Sequence, residues 1–252
     1  MYRHAVMLMV CGLVAASGEA AAQTQEWTDR GYANFNFGFG GRTNDLDAIQ
    51  DFTLYAETAR ISVEGDIDAG AFFDLSGGAR VWRNVSVGLA FSRTSSDGDA
   101  AIQGSAPHPV FFDRPRQFTT EVRGLERSES ATHLSVGYMF VIDDKLDVLA
   151  YAGPSFFRVS QEVVETVQIA EAGAPFATVI PNPVIATRKE SPVGGHIGAD
   201  VTYRLYETER VKIGAGAFMR YSGASADIEV LDDIVASDVG GFQIGFGLRT
   251  RF

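Results

Sequence analysis

The final segment of the chain, residues 240–252 (GGFQIGFGLRTRF), alternates almost without interruption. Phe242, Ile244, Phe246, Leu248 and Phe252 form one row, broken only by Thr250, and Gln243, Gly245, Gly247, Arg249 and Arg251 form the other. Successive side chains of a β-strand point to opposite faces. The pattern therefore demands a strand whose two faces meet different surroundings. An apolar row opposite glycine, glutamine and arginine suits lipid on one side and a polar interior on the other.

Seven further segments alternate in the same way. Working backward, 211–221 sets Val211, Ile213, Ala215, Ala217, Met219 and Tyr221 against Lys212, Gly214, Gly216, Phe218 and Arg220. Segment 196–205 sets Ile197, Ala199, Val201, Tyr203 and Leu205 against His196, Gly198, Asp200, Thr202 and Arg204. Segments 132–142 and 145–157 pair across Asp143-Asp144. The facing of the second is open, because either Leu149, Tyr151 and Phe157 or Val148, Ala150 and Phe156 can meet lipid. Segments 70–82 and 85–93 pair across Arg83-Asn84, and 32–41 is the first strand. Eight strands, three short turns and four long connections (43–69, 98–128, 160–190 and 224–238) result. Short turns at one end and long loops at the other is the asymmetry of transmembrane barrels. Segment 52–68 also alternates in part. It reads as an extension of the second strand, as a hairpin arm, or as part of a ten-stranded barrel partnered by 159–168, and eight strands are expected.

A soluble barrel or sandwich would carry the same periodicity with its apolar rows inside. Two features favour lipid outside. The polar rows are rich in glycine and charge, and aromatics (Tyr32, Trp82, Tyr203, Tyr206, Tyr221, Phe252) gather at strand ends as interfacial girdles do. At the N-terminus, Arg3 and His4 precede an apolar run, Ala5 to Ala16, and then Ala20-Ala21-Ala22. This order is that of a secretory signal peptide over 1–22, cleaved before Gln23, and the run is short of the roughly 20 residues of a spanning helix. The barrel domain is then 23–252. The single cysteine, Cys11, lies in the leader, so neither disulfide nor thiolate chemistry is expected of the mature chain. The net charge of −11 excludes the basic face that nucleic-acid binding needs.

The inward rows supply the candidate lumen residues: Asp74, Arg80, His133, His196, Asp200, Arg204, Lys212, Arg220, Arg249 and Arg251. Unpaired buried charge is costly, so these acids and bases are expected to pair and plug a narrow interior. The alternative is a polar path for small anionic solutes, given the arginine excess. Three histidines remain after the leader (His108, His133, His196). His133 shares a face with Ser135 and His196 with Asp200, but no nucleophile-elbow or zinc-protease motif is present, and no catalytic residue, metal or cofactor is expected. Asp227, Glu229, Asp232, Asp233 and Asp238 in the last connection read as a solvated acidic loop. Arg114, Arg116, Arg123 and Arg127 in the second stand as candidate contacts for lipopolysaccharide phosphates. Pro175, Pro181 and Pro183 are expected to keep the third irregular.

The mature chain resembles the small outer-membrane β-barrels of the OmpA- and OmpW-like, porin-related group. The resemblance rests on Ala71–Gly88 (AFFDLSGGARVWRNVSVG), on Lys145–Val148 leading to Gly153–Phe157, and on a final strand ending in Phe252, which looks like the sorting signal of such proteins. It implies a monomer in the bacterial outer membrane, inserted by the barrel-assembly machinery and surrounded by membrane lipid and lipopolysaccharide. A structural or surface-interaction role through the extracellular loops is expected. The alternatives that the group offers are a narrow channel and a lipid-modifying enzyme. No wall-binding domain is expected after the last strand.

Overall fold

The computed structural model describes residues 26–41, 44–231 and 233–252; the expected leader and its cleavage site lie outside them. The described chain is built from strands: β1 (Gly31–Gly41), β2 (Asn44–Leu54), β3 (Glu57–Ile67), β4 (Gly70–Trp82), β5 (Val85–Ala106), β6 (Arg116–Val141), β7 (Leu146–Glu171), β8 (Val179–Glu190), β9 (Val193–Glu207), β10 (Lys212–Val230) and β11 (Asp233–Arg251). Eight of them close a ring in the order β1-β4-β5-β6-β7-β9-β10-β11, every neighbour antiparallel. Closure satisfies every ladder hydrogen bond, the condition for strands to lie in lipid. Segment 52–68 is neither a ninth barrel strand nor an extension of the second. It belongs to the hairpin β2–β3, which docks through Arg60–Ile67 onto the upper part of β5.

The outward rows are those expected. Phe37, Phe39, Leu75, Leu89, Val136, Ile197, Met219, Ile244, Phe246 and Leu248 are all exposed and encircle the lower barrel. The open facing of β7 resolves in favour of Val148, Ala150 and Phe156 outside, since Leu149 and Phe157 are buried. Tyr32 departs from the expected girdle: it is buried inside the barrel, whereas Trp82, Tyr203, Tyr206, Tyr221 and Phe252 are exposed. Both ends of the described chain meet on the short-turn side, where the Gly31 amide donates to the Phe252 carbonyl at 2.8 Å.

The four long connections are not loops. β6 and β7 run for 26 residues each, whereas about 9–11 suffice to cross a bilayer. They continue as paired strands above the apolar belt, and the chemistry of their faces inverts there. On β7, odd-numbered residues point inward up to Val163, where a bulge at Val164–Thr166 breaks the alternation and leaves Val164 buried as well. Below Phe156 the outward residues are apolar. Above it the inward ones are: Phe157, Val159 and Val163 are buried, while Arg158 and Ser160 face out. On β10 the outward Ile213, Met219 and Tyr221 give way to the inward Ala226, Ile228 and Val230. The upper strands thus enclose an apolar core with Ile61, Val63, Ile102, Phe118, Val164 and Val167. Lipid outside favours apolar-out and water outside favours apolar-in, so the switch marks the upper edge of the belt.

Pro181 and Pro183 sit within β8 rather than in an irregular loop. β8 pairs only with β7. Residues two apart point their N–H groups to the same side, so both prolines lack a donor only on the unpaired edge. The tight turn at Tyr55-Ala56 has positive φ at both positions (51° and 64°), the backbone of a type I′ hairpin turn.

Candidate functional site

The lower lumen is filled, level by level, by pairs that parity alone did not specify. At the mouth on the short-turn side, Trp27 enters the barrel and is buried. Its backbone amide donates to Asn84 Oδ1 (3.0 Å), its carbonyl accepts from Arg80 Nη1 (2.6 Å), and its indole Nε1 donates to Asp29 (3.2 Å). Lys212 pairs with Asp29 at 2.8 Å. One level up, Arg251 donates to Asn34 (2.8 Å), Asp147 (3.0 Å) and Thr202. Arg204 lies 3.8 Å from the same Asp147.

Next, Arg249 grips Asp200 with two nitrogens, Nε at 2.9 Å and Nη2 at 2.8 Å. Gly216 makes that geometry possible, since a Cβ there would stand 2.8 Å from Arg249 Nε. Higher still, Arg220 donates to Asp74 (2.9 Å) and Gln243 (2.8 Å), and Asn36 donates to the other Asp74 oxygen (3.1 Å). Phe218 and Phe72 pack edge-to-face beside this group, at 5.5 Å between centroids.

His133 and His196 meet above these pairs, their rings 4.9 Å apart. Ser155 Oγ is within hydrogen-bond distance of His133 Nδ1 (2.8 Å) and of His196 Nδ1 (2.9 Å), and His133 Nε2 reaches Ser92 at 3.0 Å. One hydroxyl has one proton, so Ser155 donates to one imidazole and accepts from the other. The partners that the sequence put on the same face, Ser135 and Asp200, are not the ones used. Ser155 is completely buried, and the cavity lined by His133 and His196 holds about 20 Å³, the size of one water molecule.

The arginines expected to meet lipopolysaccharide do not form one outward group, which corrects that expectation for two of them. Arg127 is buried in the barrel, where it pairs with Glu129 (2.6 Å) and donates to Gln161, Ser237 and the Asp238 carbonyl. Its parity points it inward, under the apolar core. Arg116 is half-buried at the apex and donates to Glu171, the Phe176 carbonyl (2.8 Å) and the Pro107 carbonyl (2.6 Å). Arg123 is exposed beside Glu121 (2.7 Å), and Arg114 stacks over Phe111.

Arg116 is the centre of a clamp that joins three hairpin tips. Tyr55 donates to Glu171 (3.1 Å), and the Asp113 amide donates to Glu57 (2.9 Å). His108 Nδ1 accepts from the amides of Val110 and Phe111, which leaves Nε2 to donate to the Pro175 carbonyl at 3.3 Å. The Arg116 guanidinium holds the Glu171 carboxyl below the usual glutamate range. Beyond the clamp, Val110, Phe111 and Phe112 project into solvent at 60, 53 and 71% exposure. Of the acidic residues in the last connection, Glu229 pairs with Arg188 at 3.3 Å. No group of three or more acidic, His or Cys side chains is placed to hold a metal among the described residues; Asp232 lies outside them.

Sequence reasoning missed Trp27, Asn34, Asn36, Asp147, Ser155 and Gln243. Asn34, Asn36 and Gln243 were legible as inward by parity; Asp147 and Ser155 lie on the segment whose facing stayed open, and Trp27 precedes the first strand and follows no periodicity.

A closed eight-stranded antiparallel barrel with an apolar outer belt and a charged, hydrogen-bonded interior defines the class: a membrane β-barrel of the outer-membrane type. No family model matches the sequence, and no curated protein does. Among solved structures the chain is similar to Neisserial surface protein A (13% identity, 88% of this chain and 97% of that one, TM-score 0.43). It is also similar to the outer membrane protein OprG of Pseudomonas aeruginosa (9%, 89% and 97%, 0.42). A third is the outer membrane protease OmpT of Escherichia coli (13%, 92% and 99%, 0.42).

Proposed function

We propose that the chain is a monomeric, non-catalytic barrel of the bacterial outer membrane, exported by the leader 1–22, whose work is done on its outer surface. In this reading the short turns face the periplasm and the long hairpins face the outside. The observation that carries it is the filled interior. Buried pairs cross the lumen at successive levels, Arg251–Asp147, Arg249–Asp200 and Arg220–Asp74, and an apolar core lies above them. What remains for interaction is the rigid apex, where Val110, Phe111 and Phe112 stand exposed on the clamped tips. Exposed neighbouring apolar side chains of this kind mark interaction surfaces on soluble domains.

A Ser155 with two imidazoles in reach has the composition of an activated nucleophile, but a fully buried hydroxyl offers no approach to a substrate. The deciding experiment is single-channel conductance of the refolded chain in a planar bilayer, with a heat-modifiable gel shift to verify folding. A folded, silent barrel is expected. Reproducible steps that change when Arg204, Arg220 and Arg249 are replaced by Ala would establish the channel alternative instead.

A further inference from the structure

The outer wall over β5, β6, β7 and β8 changes character in three consecutive rows fixed by the strand register. The lowest row is Leu75, Phe91, Thr132, Phe156 and Val193, the upper rim of the apolar belt. The next is Phe73, Arg93, Ser130 and Arg158. The third is Ala71, Ser95, Ser128, Ser160 and Lys189. Arg93, Arg158 and Lys189 are exposed. None of them has a carboxylate in ion-pair reach among the described residues, although the chain carries a net charge of −11. Asp97 and Glu126 stand one row higher still. Strands about 4.8 Å apart place Arg93 and Arg158 about 10 Å from each other across Ser130.

Below the cations the wall is indented. β8 stops at Glu190 and β9 starts at Val193, and the gap leaves a groove of about 450 Å³ lined by Phe91, Thr132, Phe156, Pro192 and Val193, with Arg158 at its edge. Aromatic and aliphatic side chains below, hydroxyls and uncompensated cations directly above, at the height where the faces invert, is the profile of an acyl chain leading up to a phosphate. We infer that this wall is a binding site for a phosphorylated glycolipid of the outer leaflet, with Arg93, Arg158 and Lys189 on the phosphate and the groove on an acyl chain. The inference rests on the proposed orientation in the outer membrane, and it assigns the lipid contact to these residues rather than to Arg116 and Arg127.

The test uses the full mature chain refolded in detergent and titrated with purified lipopolysaccharide, with its enzymatically dephosphorylated form and with phosphatidylglycerol. Each cation near a lipid surface contributes about 1 kcal/mol. Single Ala variants should therefore weaken lipopolysaccharide binding about fivefold, and R93A/R158A/K189A about a hundredfold, at an unchanged gel shift. Dephosphorylated glycolipid should bind wild type as weakly as lipopolysaccharide binds the triple variant, and R114A/R123A should bind like wild type. Equal binding of lipopolysaccharide to wild type and triple variant, or of the two glycolipid forms to wild type, would overturn the site. Equal competition by phosphatidylglycerol would overturn the glycolipid assignment. A chain that does not insert into bilayers at all would instead sink the outer-membrane reading, which is scored separately by the gel shift in vesicles.

Discussion

Arg249 and Asp200 show what a buried charge needs in this interior. Both are almost wholly buried, and they meet through one hydrogen bond from Arg249 Nε and an ion-pair approach of Nη2. Removing one partner leaves the other charged and desolvated. Asp200→Ala is expected to cost about 3–5 kcal/mol, read as a lower urea midpoint for the heat-modifiable gel shift. Replacing Asp74 and Arg220 together by Leu and Met should cost much less than either single change, because no charge is left alone. At the apex, Arg116 lowers the Glu171 titration. The stability of that clamp is therefore present above the ordinary glutamate range and is lost as the pH falls through the depressed value. Amide exchange in 107–117 and 171–178 should rise only in that acid window, and Glu171→Gln should raise it at neutral pH. In the lower barrel, β7 excepted, which side chains face inward was legible from alternation. Which of them pair was not, because Arg220 and Asp74 stand 146 positions apart and meet only through the registers of the strands between them.

At the scale of the strand, alternation was legible only where lipid lies outside. The row of β10 ends at Tyr221 when read for outward apolar residues, yet the strand continues to Val230 with its apolar residues on the other face. Reading that inversion as a strand end turned three long hairpins, within 98–128, 160–190 and 224–238, into loops. Glycine marks the place on β11: Gly240 has φ 90°, and a Cβ there would meet the Ser222 carbonyl at 2.7 Å. Two substitutions test the two regimes. Leu248→Arg puts a charge on the lipid face and should destabilise by about 2–4 kcal/mol. Val163→Asp, inward and above the belt, should disorder the hairpin tips while the lower barrel keeps its gel shift, a difference that limited proteolysis of 160–190 resolves. Pro181→Ala should change little, because the amide it restores points away from β7.

For the whole molecule, the number of strands in the ring and their antiparallel order followed from counting rows and short turns. The partition into two stacked halves did not. The lower half is a barrel turned inside out with respect to a soluble protein. The upper half follows soluble rules, with β2–β3 and β8 added to its walls and its tips tied by Arg116. The inversion between Phe156 and Phe157 has a practical reading. If every position of β7 is substituted by Asp and scored for surface display, the tolerated positions should be the odd ones along one stretch and the even ones along the next. The residue at which tolerance changes parity would locate the water boundary on that strand. Repeated on β5 and β10, the same scan would trace the tilt of the molecule in its bilayer without any lipid being observed.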